Sequence, residues 1–164
     1  MFLNPLRFVA VVLTALGLSL GVAHALELPP RMNYDGPLYL AVTSTLYRMY
    51  AIAGGAFQVG SLLAVALLCR VTRGRPSFRL TLAALAALAL SLAVWAAVVR
   101  PVNAEWGRVL RSQPSAAPEA YLRLRPRWEF GHVAAGAVWL AGFSCLVLSV
   151  LSEIPPTDRP RAAA

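Results

Sequence analysis

Four apolar runs without a formal charge organise this chain: Phe8–Leu26, Met49–Cys69, Leu80–Val99 and Val133–Leu151, each about 19 to 21 residues long. A helix needs about 20 residues to cross a hydrocarbon core of about 30 Å. No water in that core would satisfy open strands, and the alternation that a membrane barrel requires is missing. The pattern predicts an all-α, integral membrane four-transmembrane-helix bundle with up-down topology, spanning at about 8–28, 48–69, 79–100 and 128–151. Arg7, Arg48, Arg70, Arg79, Arg100 and Glu153 bracket the runs, and Pro155-Pro156 is expected to stop the last. The whole reads as one domain over 1–152, followed by a short disordered tail over 153–164.

Composition agrees with lipid as the solvent. Only 13% of residues are charged and 59% are hydrophobic, whereas soluble domains are about a quarter charged. The net charge of +8 would fit nucleic acid, and every basic residue is arginine. Those arginines sit between apolar runs and not along one helix face, which excludes nucleic acid and points to membrane topology and lipid headgroups as partners. Cys69 and Cys145 lie in different runs with no metal-ligand spacing, and read as small buried hydrophobes.

The first run has a rival interpretation, because Arg7, the apolar stretch and Ala23-His24-Ala25 imitate a cleavable signal peptide. Its length and its Gly17-x-x-x-Gly21 packing motif favour a retained helix. The short loop between runs two and three carries Arg70, Arg73, Arg75 and Arg79 and no acid, which predicts cytoplasmic termini in a bacterial inner membrane. In the long third loop, Gln113–Ala117 reads as a turn. Pro118-Glu119 then opens a short helix that Pro126 is expected to end.

Up-down topology brings the end of span one, the start of span two, the end of span three and the start of span four to one membrane face. Both histidines of the chain, His24 and His132, fall there with Glu27, Tyr47, Arg48, Asn103, Glu105, Trp106, Trp128 and Glu129. His24-x-x-Glu27 and Glu129-x-x-His132 each set an imidazole and a carboxylate on one helix face. His24 shares its face with Gly17 and Gly21, and His132 with Ala135, Gly136 and Trp139, so both are expected to point into the bundle. Inward ionisable groups in a membrane mark function by default.

Four uses of that cluster compete. The Glu-x-x-His half-motifs occur in carboxylate-bridged metal bundles, although here one is reversed and no further in-span carboxylates support them. Two histidines on facing helices would hold a haem. A neutral imidazole beside a carboxylate would serve as general base towards an organic acid or phenol. The structural alternative has interfacial histidines, ion pairs of Glu129 with Arg125 or Arg127, and headgroup anchoring. Trp106, Trp128, Tyr39, Tyr47, Tyr50 and Tyr121 sit at span ends where aromatic belts are expected. Asn103 after Arg100-Pro101 reads as a cap or turn residue, and Gln58 within span two as an interhelical hydrogen bond or, failing that, a substrate contact.

The stretch His24-Ala-Leu-Glu27-Leu-Pro-Pro-Arg31, then Tyr47 and Gly54-Gly55, then Arg100-Pro-Val-Asn103, then Arg127-Trp128-Glu129-x-x-His132 resembles the anthrone oxygenase-like family of small four-helix membrane proteins, in order and spacing over roughly residues 8 to 150. Most bacterial members of that family have no known function; a few members are implicated in oxidising an anthrone to an anthraquinone without a metal or flavin. The resemblance implies a cofactor-free, oxygenase-like enzyme acting on an apolar aromatic. His132 and His24 would then move protons, with Glu129 and Glu27 orienting them. Asn103, Trp128, Trp106, Arg127 and Tyr47 would contact the substrate. The competing expectation is a non-enzymatic membrane protein that binds lipid or a membrane partner. Oligomers are compatible with either, through the small-residue motifs.

Overall fold

The computed structural model describes residues 3–154. Pro155-Pro156 and nearly all of the tail expected to be disordered lie outside the described residues. Helix α1 spans Leu3–Arg31, α2 Gly36–Thr45, α3 Tyr47–Val71, α4 Phe78–Val94, α5 Arg100–Ser112 and α6 Ala117–Leu151. A π turn, Trp95–Val99, joins α4 to α5, and a 3-10 turn, Pro114–Ala116, leads into α6. Among the described residues there is no strand, and the fold is an all-α four-helix bundle.

Four helical segments are long and apolar enough to cross a membrane: Leu3–Arg31, Tyr47–Val71, Phe78–Ser112 and Pro114–Leu151. Their outer surfaces expose Phe8, Leu26, Ile52, Leu63, Leu90 and Leu140, the inverse of a soluble bundle and the surface that acyl chains require. The chain is therefore a membrane protein. Around the bundle α1 packs on α3 and α6, and α4 packs on the same two, most extensively on α6.

Small residues set the closest approaches. A Cβ on Gly21 would lie 3.2 Å from the Gly136 Cα, and one on Gly17 would lie 2.6 Å from the Trp139 ring. Glycine there lets α1 and α6 touch backbone to backbone, where dispersion over close surfaces replaces the hydrophobic drive that lipid removes. Trp139 Nε1 donates to the Thr14 carbonyl at 2.9 Å, and Ser91 Oγ to the Ala135 carbonyl at 2.8 Å. At the membrane face that holds the short loop, Glu153 ties three segments together. It meets Arg7 at 2.5 Å and Arg75 at 3.2 Å, and accepts from the Ser77 hydroxyl. That hydroxyl and the Arg7 guanidinium hold the Glu153 carboxyl down at about 2.

At the opposite face the long helices overshoot. The 35 residues of Phe78–Ser112 rise about 1.5 Å each and so outreach a hydrocarbon core of about 30 Å. The projecting ends of α5 and α6 pair through Trp106 and Tyr121, stacked at 4.1 Å. Helix α2 packs at this end against α6 and α3. The Asp35 side chain caps it by accepting from the Leu38 amide at 2.9 Å, with Pro37 in the first turn. Gly36 is needed because a Cβ there would meet Pro118 at 3.0 Å.

Three expectations are corrected. Pro126 does not end a helix; it lies inside α6, which runs unbroken from Ala117, as neighbouring helices in a bundle tolerate. Asn103 is neither cap nor turn but sits within α5. Tyr39, Tyr47, Trp106, Tyr121 and Trp128 are buried and do not form a lipid-facing belt, because the overshooting helix ends and α2 cover them.

Candidate functional site

The last residue of α1 organises the site. Arg31 is 1% exposed and folds back along its own helix, where its cation also suits the carbonyl end of α1. One Nη donates to Glu27 at 3.0 Å and to the Tyr47 hydroxyl. The other donates to the Glu129 carboxylate at 2.7 Å and to the His24 carbonyl at 2.9 Å. The remaining Glu129 oxygen accepts from the Tyr39 hydroxyl at 2.9 Å, and Glu129 is completely buried. Tyr47 donates in turn to Glu27. Arg125 lies 5.3 Å from the Tyr39 ring and donates to the carbonyls of Arg31 and Tyr34. Side chains of α1, α2, α3 and α6 thus meet in one charge-assisted network.

The imidazoles lie beside this network. His24 stacks on His132 at 4.1 Å between ring centroids and 19° between planes, and on Tyr47 at 5.0 Å. Trp128 stands edge-on to both, and its Nε1 donates to the Asn103 Oδ1 at 2.8 Å. The contacts of the two Nδ1 atoms constrain the rings unequally. The Arg31 Nη lies 3.5 Å from the His24 Nδ1, but its two hydrogens are given to Glu129 and to the His24 carbonyl, so this contact fixes no tautomer for His24. A carbonyl only accepts, and that of Trp128 lies 3.0 Å from the His132 Nδ1, so His132 carries its lone pair on Nε2. Neither Nε2 has a protein partner among the described residues.

Both histidines line a cavity of about 670 Å³ that runs from the bundle centre to the α2 end. Its floor is the α1–α6 crossing, with Gly17, Gly21 and Gly136; its sides are α3, with Ala51, Gly54, Gly55 and Gln58, and the α4–α5 rod, with Ser91, Trp95, Asn103 and Gly107. The two sides diverge towards α5, since α3 packs on α4 but α5 packs on the π turn, the 3-10 turn and α6. The volume falls in the range of small-molecule sites, and the mixture of apolar walls with a few converging polar groups is typical of them.

Of the residues singled out from sequence, His24, His132, Tyr47, Asn103, Trp106 and Trp128 line this cavity. Glu27, Glu129 and Arg127 do not. Neither carboxylate bonds to an imidazole; both are held by Arg31, a charged donor that outcompetes a neutral ring. Arg31, not Arg125 or Arg127, is the ion-pair partner of Glu129. Arg127 is exposed and donates to the Ala97 carbonyl in the π turn at 3.3 Å. Among the described residues no three His, Cys, Asp or Glu side chains converge as metal ligands. Imidazoles stacked face to face leave no gap for a porphyrin between them.

Sequence reasoning assigned Arg31 no role at the site and read Tyr39 and Tyr50 only as belt aromatics. Arg31 follows two prolines and looks like one more flanking charge. Its signal was positional, since His24, Glu27 and Arg31 stand at i, i+3 and i+7 on one helix face. No family model matches this chain, and no curated protein or solved structure matches it.

Proposed function

We propose that this protein binds a flat, apolar molecule with an acidic proton, drawn from the bilayer, and removes that proton with His132 Nε2. The observation that carries this is the stacked imidazole pair opening on an apolar cavity, with the His132 Nδ1 held by the Trp128 carbonyl so that its lone pair is on Nε2. A base must present its lone pair to the substrate without rotating, and the bond from Nδ1 to the Trp128 carbonyl supplies that constraint. In its Nε2–H tautomer His24 would donate to the oxygen on which negative charge develops. Trp128, pinned by Asn103, offers a ring for stacking.

With the resemblance to the anthrone oxygenase-like family, the chemistry is cofactor-free oxygenation. The substrate C–H or O–H bond breaks, its proton passes to His132, and the electron pair stays on the aromatic anion. Dioxygen then takes up the electrons. At a methylene centre the balance is CH₂ plus O₂ giving C=O plus H₂O. The protein would lie in a bacterial inner membrane with both termini cytoplasmic, on the strength of the arginine-rich short loop.

The test is anthrone oxidation to anthraquinone by protein in detergent, followed by absorbance and by oxygen uptake. His132→Ala should lower the rate by about 10² to 10⁴, the usual worth of a positioned base, with helix content unchanged. A wild-type rate no faster than detergent alone would sink the enzymatic reading. It would leave a lipid or membrane-partner binder, which one observation favours: the carboxylates on the imidazole faces are occupied by Arg31.

A further inference from the structure

Gln58 sits near the middle of α3, at the level of the bundle centre. With Tyr47, Ala51, Gly54 and Gly55 it falls at i, i+4, i+7, i+8 and i+11, one continuous face, and all five line the cavity. The interhelical hydrogen bond expected of it is not made. Its amide has no partner among the described residues, and it is not sealed in protein, since it opens on the cavity. Two other polar groups at that depth are already engaged: Ser91 donates to the Ala135 carbonyl and Trp139 to that of Thr14. An amide left unpaired in apolar surroundings is unfavourable.

The imidazole pair marks the other end. Tyr50 meets the His24 ring edge-on at 5.7 Å, and eight residues of helix separate Tyr50 from Gln58, about 12 Å of rise. Between them the face is cut back to Ala51, Gly54 and Gly55. A Cβ on Gly55 would meet nothing within 4 Å, and one on Gly54 only the tip of Leu20. The result is a slot with unspent hydrogen-bonding groups at each end and little but hydrogen and methyl along one side.

We propose that Gln58 is the second recognition point of the cavity, and that its ligand is an elongated, largely apolar molecule with an oxygen-bearing group at each end. This deepens the reading of the cavity given above and rests on it. The end near the histidines carries the acidic proton, and the far end carries a carbonyl or hydroxyl for the Gln58 amide.

Estrone is a rigid probe of this shape, a phenol at one end of a fused-ring skeleton and a ketone at the other; 17-deoxyestrone lacks the ketone. Binding of each to the full chain in detergent is followed by quenching of tryptophan fluorescence and checked by equilibrium dialysis. Wild-type protein should bind estrone about tenfold tighter than 17-deoxyestrone, one hydrogen bond's worth. Gln58→Leu should bind both with the weaker affinity. Gly55→Leu, whose Cβ would meet nothing within 4 Å and whose longer side chain would occupy the slot, should lose both. Equal binding of the two steroids by wild type and Gln58→Leu, with loss in Gly55→Leu, would overturn the role of Gln58 and leave the cavity reading standing. Binding of neither steroid, or binding indifferent to Gly55→Leu, would overturn both.

Discussion

Arg31 illustrates how a single side chain can hold a membrane bundle together. It is buried among Glu27, Tyr47, His24 and Glu129, and its removal would strip the buried Glu129 carboxylate of its ion-pair partner. Breaking a buried pair from one side costs about 3–5 kcal/mol. Arg31→Met should therefore unfold far more readily in mixed-micelle denaturation than wild type. Glu129→Gln added to it should recover most of the loss, because it removes the orphaned charge and keeps an oxygen for the Tyr39 hydroxyl. A double variant no more stable than Arg31→Met would mean that Arg31 stabilises through packing on Tyr47 and Trp128 and not through charge.

Among the elements, α5 and α2 were hidden in the sequence, since 101–112 read as loop, and α2 is a ten-residue helix where a loop was also expected. It brings Tyr39 to Glu129 and presents Thr43 and Ser44 to the cavity. A helix so short depends on its ends. Asp35→Ala removes the side-chain cap, worth about 1 kcal/mol, while Asp35→Asn retains an acceptor and should be nearly neutral. Amide exchange across 36–45 in detergent should rise about fivefold in the first variant and not in the second. Exchange unchanged in both would show that α2 is held by its packing on α6 and α3 and not by its cap.

For the whole molecule the two membrane faces are built differently. One end is opened by a cavity; the other is closed by Glu153, which joins Arg7 of α1, Arg75 and Ser77 of the short loop, and the end of α6. The carboxyl is depressed from 4.5 to about 2 by the Ser77 hydroxyl and then Arg7. A folded-state value below the unfolded one gives stability that is complete above pH 4.5 and lost as pH falls towards 2. Thermal unfolding in detergent should accordingly be lower at pH 3 than at pH 6 in wild type, and Glu153→Gln should flatten that particular loss. An identical drop in the variant would assign the acid sensitivity to other groups.

The run lengths and bracketing arginines determined four apolar helices, and the up-down order followed from run count alone. Topology also put His24, His132, Asn103, Trp106 and Trp128 at one level, because each lies within a turn or two of a span end. Partner choice was a different matter. Whether Glu129 meets His132 or Arg31 depends on helix rotation and on the reach of a side chain 98 positions away, and no local spacing encodes either. Pro126 looked like a stop because a local rule cannot see the neighbouring helices that carry α6 through it. The unpaired amide of Gln58 and the open space beside Gly55 are properties of the volume between helices, which only the assembled bundle defines.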